Sequence, residues 1–149
     1  MLRRAGTDKT DEEMIHEKLS GKIIGAAMDV LNQLRPGMIR QLPDYERPMI
    51  IELKHRGHSL SIQKAFPVFY HGELIGNLIP ELIVDDTAIV DPKVVACFTD
   101  THVAQMLGYL NITRLDLALL LNFKNAWLEW KRVLRPREAG EYDTPDLHA

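Results

Sequence analysis

Apolar residues in the first quarter of the chain recur at every third or fourth position, which is the spacing of one buried face of an α-helix. Arg35-Pro36-Gly37 then predicts the end of this helix, because proline cannot continue the hydrogen-bond ladder and glycine tolerates left-handed geometry. Thr10 and Glu13 have the spacing of a capping box, so helical structure is expected to begin near them. The apolar positions of the helix are Ile23, Ile24, Ala27, Met28, Val30, Leu31 and Leu34.

A second helix is expected over residues 44–56, where apolar side chains line one side and Gly57 follows. Pro48 fits this helix only if it lies in the first turn. Beyond Gly57 the apolar spacing changes to two, the period of a β-strand. His71-Gly72 predicts a hairpin turn between the extended residues 60–68 and 73–77.

Two nearly continuous apolar runs follow, at residues 78–84 and 88–95, and the turn sequence Asp85-Asp86 separates them. Such runs are typical of neighbouring strands that are buried on both faces of a sheet.

The remaining elements are one helix and two strands. The helix is expected over residues 101–110, with Asp100 or Thr101 as its cap, and the strands over residues 115–123 and 126–134. The order is therefore helices, three or four strands, a helix and two strands, which predicts an α/β fold.

A chain of 149 residues has room for one ordinary domain. Hydrophobic residues make up 46% and charged residues 26%, which is the composition of a folded protein rather than a disordered one. We expect a flexible N-terminus over residues 1–10, one domain over residues 11–135 and a flexible polar tail over residues 136–149.

The formal net charge of −3 provides no global field that would draw the chain onto nucleic acid. Leu2-Arg3-Arg4 and residues 131–137 are candidates for local basic patches, although solvated termini are the preferred interpretation. Cys97 is the single cysteine, which excludes an internal disulfide and a cysteine zinc cluster, and we expect it to be a small buried side chain. Residues 1–9 lack a secretory apolar core and the apolar runs are too short to span a bilayer, so a cytoplasmic location without membrane contact is expected.

The candidate chemistry lies in charged residues inside the two apolar runs. Glu81 is the acid within residues 78–84, and Asp91 and Lys93 lie two positions apart in residues 88–95. Because burying an unpaired carboxylate is costly, each acid needs a partner or a function. Neighbouring strands would bring Glu81 close to Asp91, and strand alternation puts Asp91 and Lys93 on one face.

Two interpretations fit these three charges. Two carboxylates can hold Mg²⁺, the metal lowers the pKa of a bound water, and a lysine steadies developing negative charge, which together suit phosphodiester hydrolysis. Alternatively, Asp91-Pro92-Lys93 is a turn sequence and Glu81 is a strand-end residue paired with Lys93. Residue types alone favour this structural alternative.

Pro80-Glu81 followed by Asp91-Pro92-Lys93 is an acid at the end of one strand and then acid-x-lysine on the next. With the order of elements above, this pattern resembles the PD-(D/E)XK nuclease-like superfamily, and most closely its GxxExxY group, over residues 11–134. The resemblance implies a core of helix, three antiparallel strands, helix and strand, with a mixed sheet flanked by helices. Further landmarks of the group are residues 22–30, Arg35-Pro36-Gly37, Tyr45-Glu46-Arg47, Ile51-Glu52-Leu53, residues 69–73, residues 102–110 and residues 119–123.

The resemblance also implies site roles and a function. Glu81 and Asp91 would be ligands for Mg²⁺ or Mn²⁺, Lys93 the catalytic lysine, and Gln105 a secondary residue on the helix that flanks the site. Gln105 and Tyr109 share one helix face at i and i+4, although an ordinary helix surface explains that spacing equally well. The implied function is metal-dependent hydrolysis of phosphodiester bonds in nucleic acid.

The chain departs from the superfamily pattern at its key positions. Glu81 stands where aspartate is usual and Asp91 where glutamate is usual, and these two changes in length can compensate each other. Arg40 stands where the GxxE glutamate is expected, and Pro92 replaces an apolar residue. The departures predict a weak or inactive member, and the alternative function is a non-catalytic binding or assembly module that keeps the fold.

Trp127 and Trp130 bear on that alternative. On the predicted last strand they are three positions apart, so they cannot both face the core. Core capping or a subunit contact is preferred over stacking on nucleic-acid bases. We therefore expect a homo-oligomer, most simply a dimer, in which a partner chain covers the outward-facing tryptophan.

Overall fold

The computed structural model describes residues 15–35 and 45–137. Within these ranges lie three helices and seven strands. None of these helices is long and apolar enough to cross a membrane. In chain order the elements are α1 (Glu17–Leu34), α2 (Glu46–His55), β1 (Leu60–Ile62), β2 (Phe66–Tyr70), β3 (Glu73–Leu78), β4 (Leu82–Val84), β5 (Ala88–Lys93), α3 (Asp100–Thr113), β6 (Leu117–Asn122) and β7 (Glu129–Leu134).

Some predictions concern residues outside the described ranges. They are the capping box of Thr10 and Glu13, the basic Leu2-Arg3-Arg4, the flexible N-terminus 1–10, Arg40, and residues 138–149 of the predicted tail.

Five of the strands form one mixed sheet in the order β1-β4-β5-β6-β7, and β2 and β3 form a separate hairpin sheet. β5 and β6 run parallel, which requires a crossover, and α3 provides it. The other neighbouring strands in the main sheet are antiparallel. The fold is therefore α/β with a mixed sheet flanked by helices, as predicted.

The sheet separates two apolar cores. α1 and α2 cover one face, where Leu117, Leu119 and Leu121 point from β6, and α3 covers the other, where Ala118 and Leu120 point. β6 is buried along its whole length because its alternate side chains enter different cores. This explains why its sequence is a continuous apolar run.

Both predicted N-terminal helices are present with ends close to those expected. α1 stops at Leu34, and Arg35 follows with a positive φ of 53°. α2 begins at Glu46, so Pro48 lies in its first turn, where proline is tolerated. Gly57 closes α2 with a φ of +91°, a left-handed conformation that glycine adopts without strain.

The apolar run at residues 78–84 was wrongly predicted to be one strand. β3 ends at Leu78 in the hairpin, and β4 begins at Leu82 in the main sheet. Pro80 lies between them and lacks the backbone N–H that a continuous ladder would need. The extended residues 60–68 are also divided, between β1 and β2, so five described strands precede α3 where three or four were expected.

Cys97 is exposed, not buried as predicted. The apolar run at residues 88–95 suggested a strand to Val95, but β5 ends at Lys93. The side-chain amide of Asn122, the last residue of β6, bonds both the N–H and the carbonyl of Val95, so a side chain and not a backbone ladder satisfies the chain after Lys93. Cys97 therefore follows the strand in an exposed loop.

The cap of α3 is Thr99 rather than Asp100 or Thr101. The Thr99 hydroxyl accepts from the backbone N–H of His102, and the His102 ring accepts from the N–H of Thr99. This reciprocal pair is a capping box in which histidine replaces the usual acid or amide.

The basic run at residues 131–137 was interpreted as a solvated terminus, and that interpretation is wrong for two of its arginines. Arg132 donates to the Ser20 hydroxyl and to the Ile15 carbonyl oxygen. Arg135 is buried and pairs with Asp116 at 3.0 Å. These guanidinium groups fasten β7 to neighbouring segments.

Both tryptophans are exposed, Trp127 by 84% and Trp130 by 45%. Trp130 lies on β7, which is an edge strand, whereas Trp127 precedes the strand instead of lying on it. The alternation argument therefore applied to Trp130 only. The dimer expected from these side chains stays a prediction.

The turn between β4 and β5 is fastened by Asp85. Its carboxylate accepts from the His58 ring at 2.8 Å and from the Ser59 N–H at 2.9 Å, at the start of β1. Burial would raise the pKa of Asp85, but the hydrogen bonds from His58 and Ser59 outweigh it and hold the pKa below its ordinary value. A depressed carboxyl pKa stabilises the fold above its unfolded-state value, and that contribution is lost as the pH falls through the folded-state value.

We predict that Asp85→Asn lowers the free energy of unfolding by about 1 kcal/mol at neutral pH, because a partly solvent-screened, charge-assisted contact is lost. Asparagine tolerates the positive φ of 53° at this position, so the turn itself is retained. The melting temperature should fall by about 2–4 °C at pH 7, and the difference should shrink below about pH 4. Asp86→Asn, at a neighbouring φ of 52°, is the matched control. Equal losses in the two variants would contradict the role given to the Asp85 contacts.

Candidate functional site

Asp91 lies at the carboxyl end of β5, in the middle of the main sheet. Ile89 on the same strand packs into the core below α3, so strand alternation directs Asp91 toward the α3 side as well. The residue is 7% exposed, which is unusual for an aspartate. β4 pairs with β5 only as far as Val90, so Pro92 lies where β5 has a single neighbouring strand and the sheet tolerates proline.

Lys93 supplies the counter-charge. Its Nζ lies 3.2 Å from Asp91 Oδ2, and the side chains of both residues are largely shielded from water. The prediction that strand alternation places them on one face is confirmed. Lys93 pairs with Asp91, whereas the structural alternative had it paired with Glu81.

Glu81 directly precedes β4. The antiparallel register pairs Leu82 with Val90, and one further step brings Glu81 opposite Asp91. The Glu81 carbonyl accepts from the N–H of Gln63 at 3.0 Å, which anchors the backbone there. The two predicted acids thus lie at adjoining strand ends.

The electrostatics of the site centre on Asp91. Burial raises the pKa of the Asp91 carboxyl above its ordinary value, and the ammonium of Lys93 offsets part of that rise through charge and a hydrogen bond. The Glu81 carboxylate raises the pKa of Asp91 further, and His102 lowers it. Glu81 is therefore close enough to disfavour the ionised form of Asp91, and His102 is close enough to favour that form.

α3 contributes Gln105 and Tyr109 to the same region. The Gln105 amide donates to the Tyr109 hydroxyl oxygen at 3.1 Å, so the predicted helix face is real. Burial and the charge of Asp91 raise the pKa of Tyr109, Gln105 opposes them, and Glu81 adds a smaller rise. Both acids therefore raise the pKa of Tyr109, and Gln105 contacts Tyr109.

Two positioning features were missed in the sequence. The capping box fixes the His102 ring, whose Nδ1 accepts from Thr99, so a neutral ring carries its proton on Nε2. Asn122 is buried and holds the chain that leaves β5 through its contacts with Val95. A single amide at the end of the apolar β6 run was the available signal for Asn122, and a Thr-x-x-His capping spacing was the signal for His102.

The donor set fits a weakly held divalent cation. Across residues 15–35 and 45–137, no group of three or more His, Cys, Asp or Glu side chains is arranged to hold a metal ion. Mg²⁺, however, is usually bound by one or two carboxylates and keeps several waters. Glu81 and Asp91 match that two-carboxylate pattern in chemistry.

Comparison with known proteins identifies the class of this fold and site. A family model described as the PD-(D/E)XK nuclease superfamily matches residues 17–133, and the chain belongs to that superfamily. The match covers all ten elements except the last residue of β7. The GxxExxY group within the superfamily stays a prediction. Comparisons with curated proteins and with solved structures gave no significant match.

We predict opposite shifts of the Asp91 pKa in two variants of the metal-free protein. Lys93→Met should raise it, because the offsetting positive charge is lost, and Glu81→Gln should lower it, because a repelling carboxylate is lost. Carboxyl carbon shifts followed by NMR through a pH titration in chelator would measure both. Glu73→Gln, an exposed change on β3, is the control. An Asp91 pKa that is unchanged in the Glu81→Gln variant would show that the two acids do not share a site.

Proposed function

We propose that this protein is a nuclease-like phosphodiesterase that acts on nucleic acid with a divalent metal ion, Mg²⁺ or Mn²⁺, held by Glu81 and Asp91. The observation that supports it is the buried Asp91–Lys93 ion pair at the end of β5, with Glu81 opposite. These residues occur at the acid and acid-x-lysine positions of the superfamily pattern, in a chain that belongs to that superfamily.

Each residue has a distinct part in this proposal. The ion would polarise the phosphate and lower the pKa of a bound water. Lys93 would stabilise negative charge developing on the phosphate, since its ammonium already lies in a shielded site beside Asp91. The raised pKa of Tyr109 keeps its hydroxyl protonated at neutral pH, so it can donate a hydrogen bond to a phosphate oxygen. Gln105, as the donor to Tyr109, orients that hydroxyl.

The same geometry favours weak activity. A cation approaching Asp91 competes with the Lys93 ammonium, which already contacts Oδ2. Two carboxylates also give a smaller charge to hold the ion than three would. The sequence adds Arg40 where the superfamily pattern has an acid.

We predict a slow nuclease activity that requires Mg²⁺ or Mn²⁺. Asp91→Ala and Lys93→Ala should each lower the rate by about 100-fold or more, since the first removes a metal ligand and the second removes the ammonium that stabilises charge on the phosphate. Lys131→Ala, an exposed lysine on β7, is the matched control and should keep the full rate. The assay uses single- and double-stranded DNA and RNA with and without EDTA. Cleavage that survives both site substitutions and the chelator would come from another site or a contaminant.

A measurement of metal binding distinguishes a weak nuclease from a binding module that has lost catalytic activity. We predict that Mn²⁺ binds with a dissociation constant of about 0.1–1 mM, measured from water proton relaxation, because two carboxylates provide the ligands. Glu81→Gln and Asp91→Asn should each weaken binding by about tenfold, whereas Glu73→Gln should not. Binding that is unchanged in both site variants would remove the metal from this proposal.

The second candidate function is a non-catalytic binding or assembly module that keeps the nuclease fold. The exposure of large apolar side chains, with Trp127 and Trp130 among them, favours it. Under this proposal the partner is a second copy of the chain, and the contact responds little to salt. A nucleic-acid partner would instead show affinity that falls steeply with salt. The cytoplasmic location expected from the sequence belongs to either proposal.

A further inference from the structure

The β2–β3 hairpin stands apart from the main sheet. Phe66, at the start of β2, packs against the buried cluster below α3, and β2 contacts that helix. A two-stranded sheet alone is marginally stable in water. The strand residues on both sides of the polar turn of this hairpin are nevertheless apolar.

Four large apolar side chains at the tip are 60–66% exposed. The register shift after Val68 places Leu74 opposite Phe69, so these two side chains share one face, with Ile75 as the extra residue beside them. The bulge thereby gathers apolar groups that a regular ladder would distribute over both faces. The four exposed side chains are Phe69, Tyr70, Leu74 and Ile75.

The exposed area is the amount that a small homodimer buries. Four such side chains together present about 500 Å² of apolar surface, which lies in the range of the largest patch on a typical monomer. A standard interface buries about 800 Å² per partner, and about two thirds of that is apolar in homodimers. One hairpin therefore offers the apolar area that each subunit of such a dimer contributes.

The charge around the hairpin favours a protein partner. Lys64 precedes the strands and Glu73 lies on β3, so the formal charges of this segment cancel, with His71 at the turn. Nucleic-acid interfaces are strongly positive, and membrane-surface segments are rich in lysine and arginine. An apolar surface without net charge suits a copy of itself, because two such surfaces carry no net charge with which to repel each other.

The other exposed aromatic surface is less suited to this contact. β7 is an edge strand, but its exposed residues Glu129 and Lys131 flank Trp130 with charge. Charged side chains on an edge strand oppose pairing with a second chain. The hairpin carries Glu73 as its single acid, and among residues 15–35 and 45–137 no further strand pairs with either of its edges.

We propose that two copies of this chain associate through their β2–β3 hairpins, with Phe69, Leu74 and Ile75 of each copy at the centre of the contact. This dimer does not depend on phosphodiester hydrolysis. It assigns the oligomer contact to the hairpin instead of the tryptophans.

The mass of the full-length protein in solution tests the proposal. Sedimentation equilibrium from about 1 to 100 µM should show wild-type protein reaching the mass of two chains. The double variant Phe69→Ser, Leu74→Ser should associate at least about thirtyfold more weakly. Trp127→Ser, Trp130→Ser removes the same number of exposed large apolar side chains, from β7 and the segment before it, and should leave the dimer intact. Dissociation by the tryptophan pair with no effect of the hairpin pair would overturn the assignment.

Hydrogen exchange on the wild-type protein is a second measurement, and it requires no substitution that could unfold the hairpin. Amides of residues 66–78 should become more protected as protein concentration rises, while those of residues 127–134 should not. A monomer with concentration-independent exchange throughout would overturn the proposal. So would a hairpin that gains protection only from single-stranded DNA or from lipid vesicles.

Discussion

A carboxylate kept out of water at the end of the central strand is the constraint on which the site depends. The pKa of Asp91 is raised chiefly by burial, so the ionised form is disfavoured in the fold. An acid with a raised folded-state pKa contributes stability that is present at low pH and is lost as the pH rises through that value. Ionising Asp91 therefore costs stability, and Lys93 at 3.2 Å limits that cost. Charges that are retained at such a cost tend to occur at functional sites.

The surrounding elements are arranged around that carboxylate. The β4–β5 register brings Glu81 opposite Asp91, although a second carboxylate there adds electrostatic repulsion. α3 crosses the same face and adds Tyr109 and His102, whose orientations are set by Gln105 and by the helix cap. A protein under selection for stability alone would separate the two acids or replace one of them. Their proximity is easier to explain if, as proposed above, a cation is bound between them.

Much of this could be predicted from the sequence because it follows from periodicity. Asp91 and Lys93 share a face since strands alternate, and β4 and β5 pair since a short turn joins them. The nuclease-like fold follows from the order of the elements together with the acid and acid-x-lysine spacing. The predictions that failed have two kinds of cause. The break after Leu78 and the Thr99 cap had local signals, Pro80 and the Thr-x-x-His spacing. The contact that holds the chain after β5 involves a distant residue, because Asn122, 27 residues after Val95, bonds the Val95 backbone, and no local pattern reveals such a contact.

The placement of the hairpin is a second feature that the local sequence pattern does not predict. Alternating apolar residues predict a strand, but they do not tell whether that strand joins the main sheet or stands alone. Here Phe66 turns the hairpin onto α3, and the bulge after Val68 gathers the apolar tip away from the core. α3 thus adjoins two separate regions, since the pKa of Tyr109 responds to both acids while β2 of the hairpin contacts the same helix. The proposed nuclease-like function and the proposed hairpin dimer therefore use different side chains of the same scaffold, and neither proposal excludes the other.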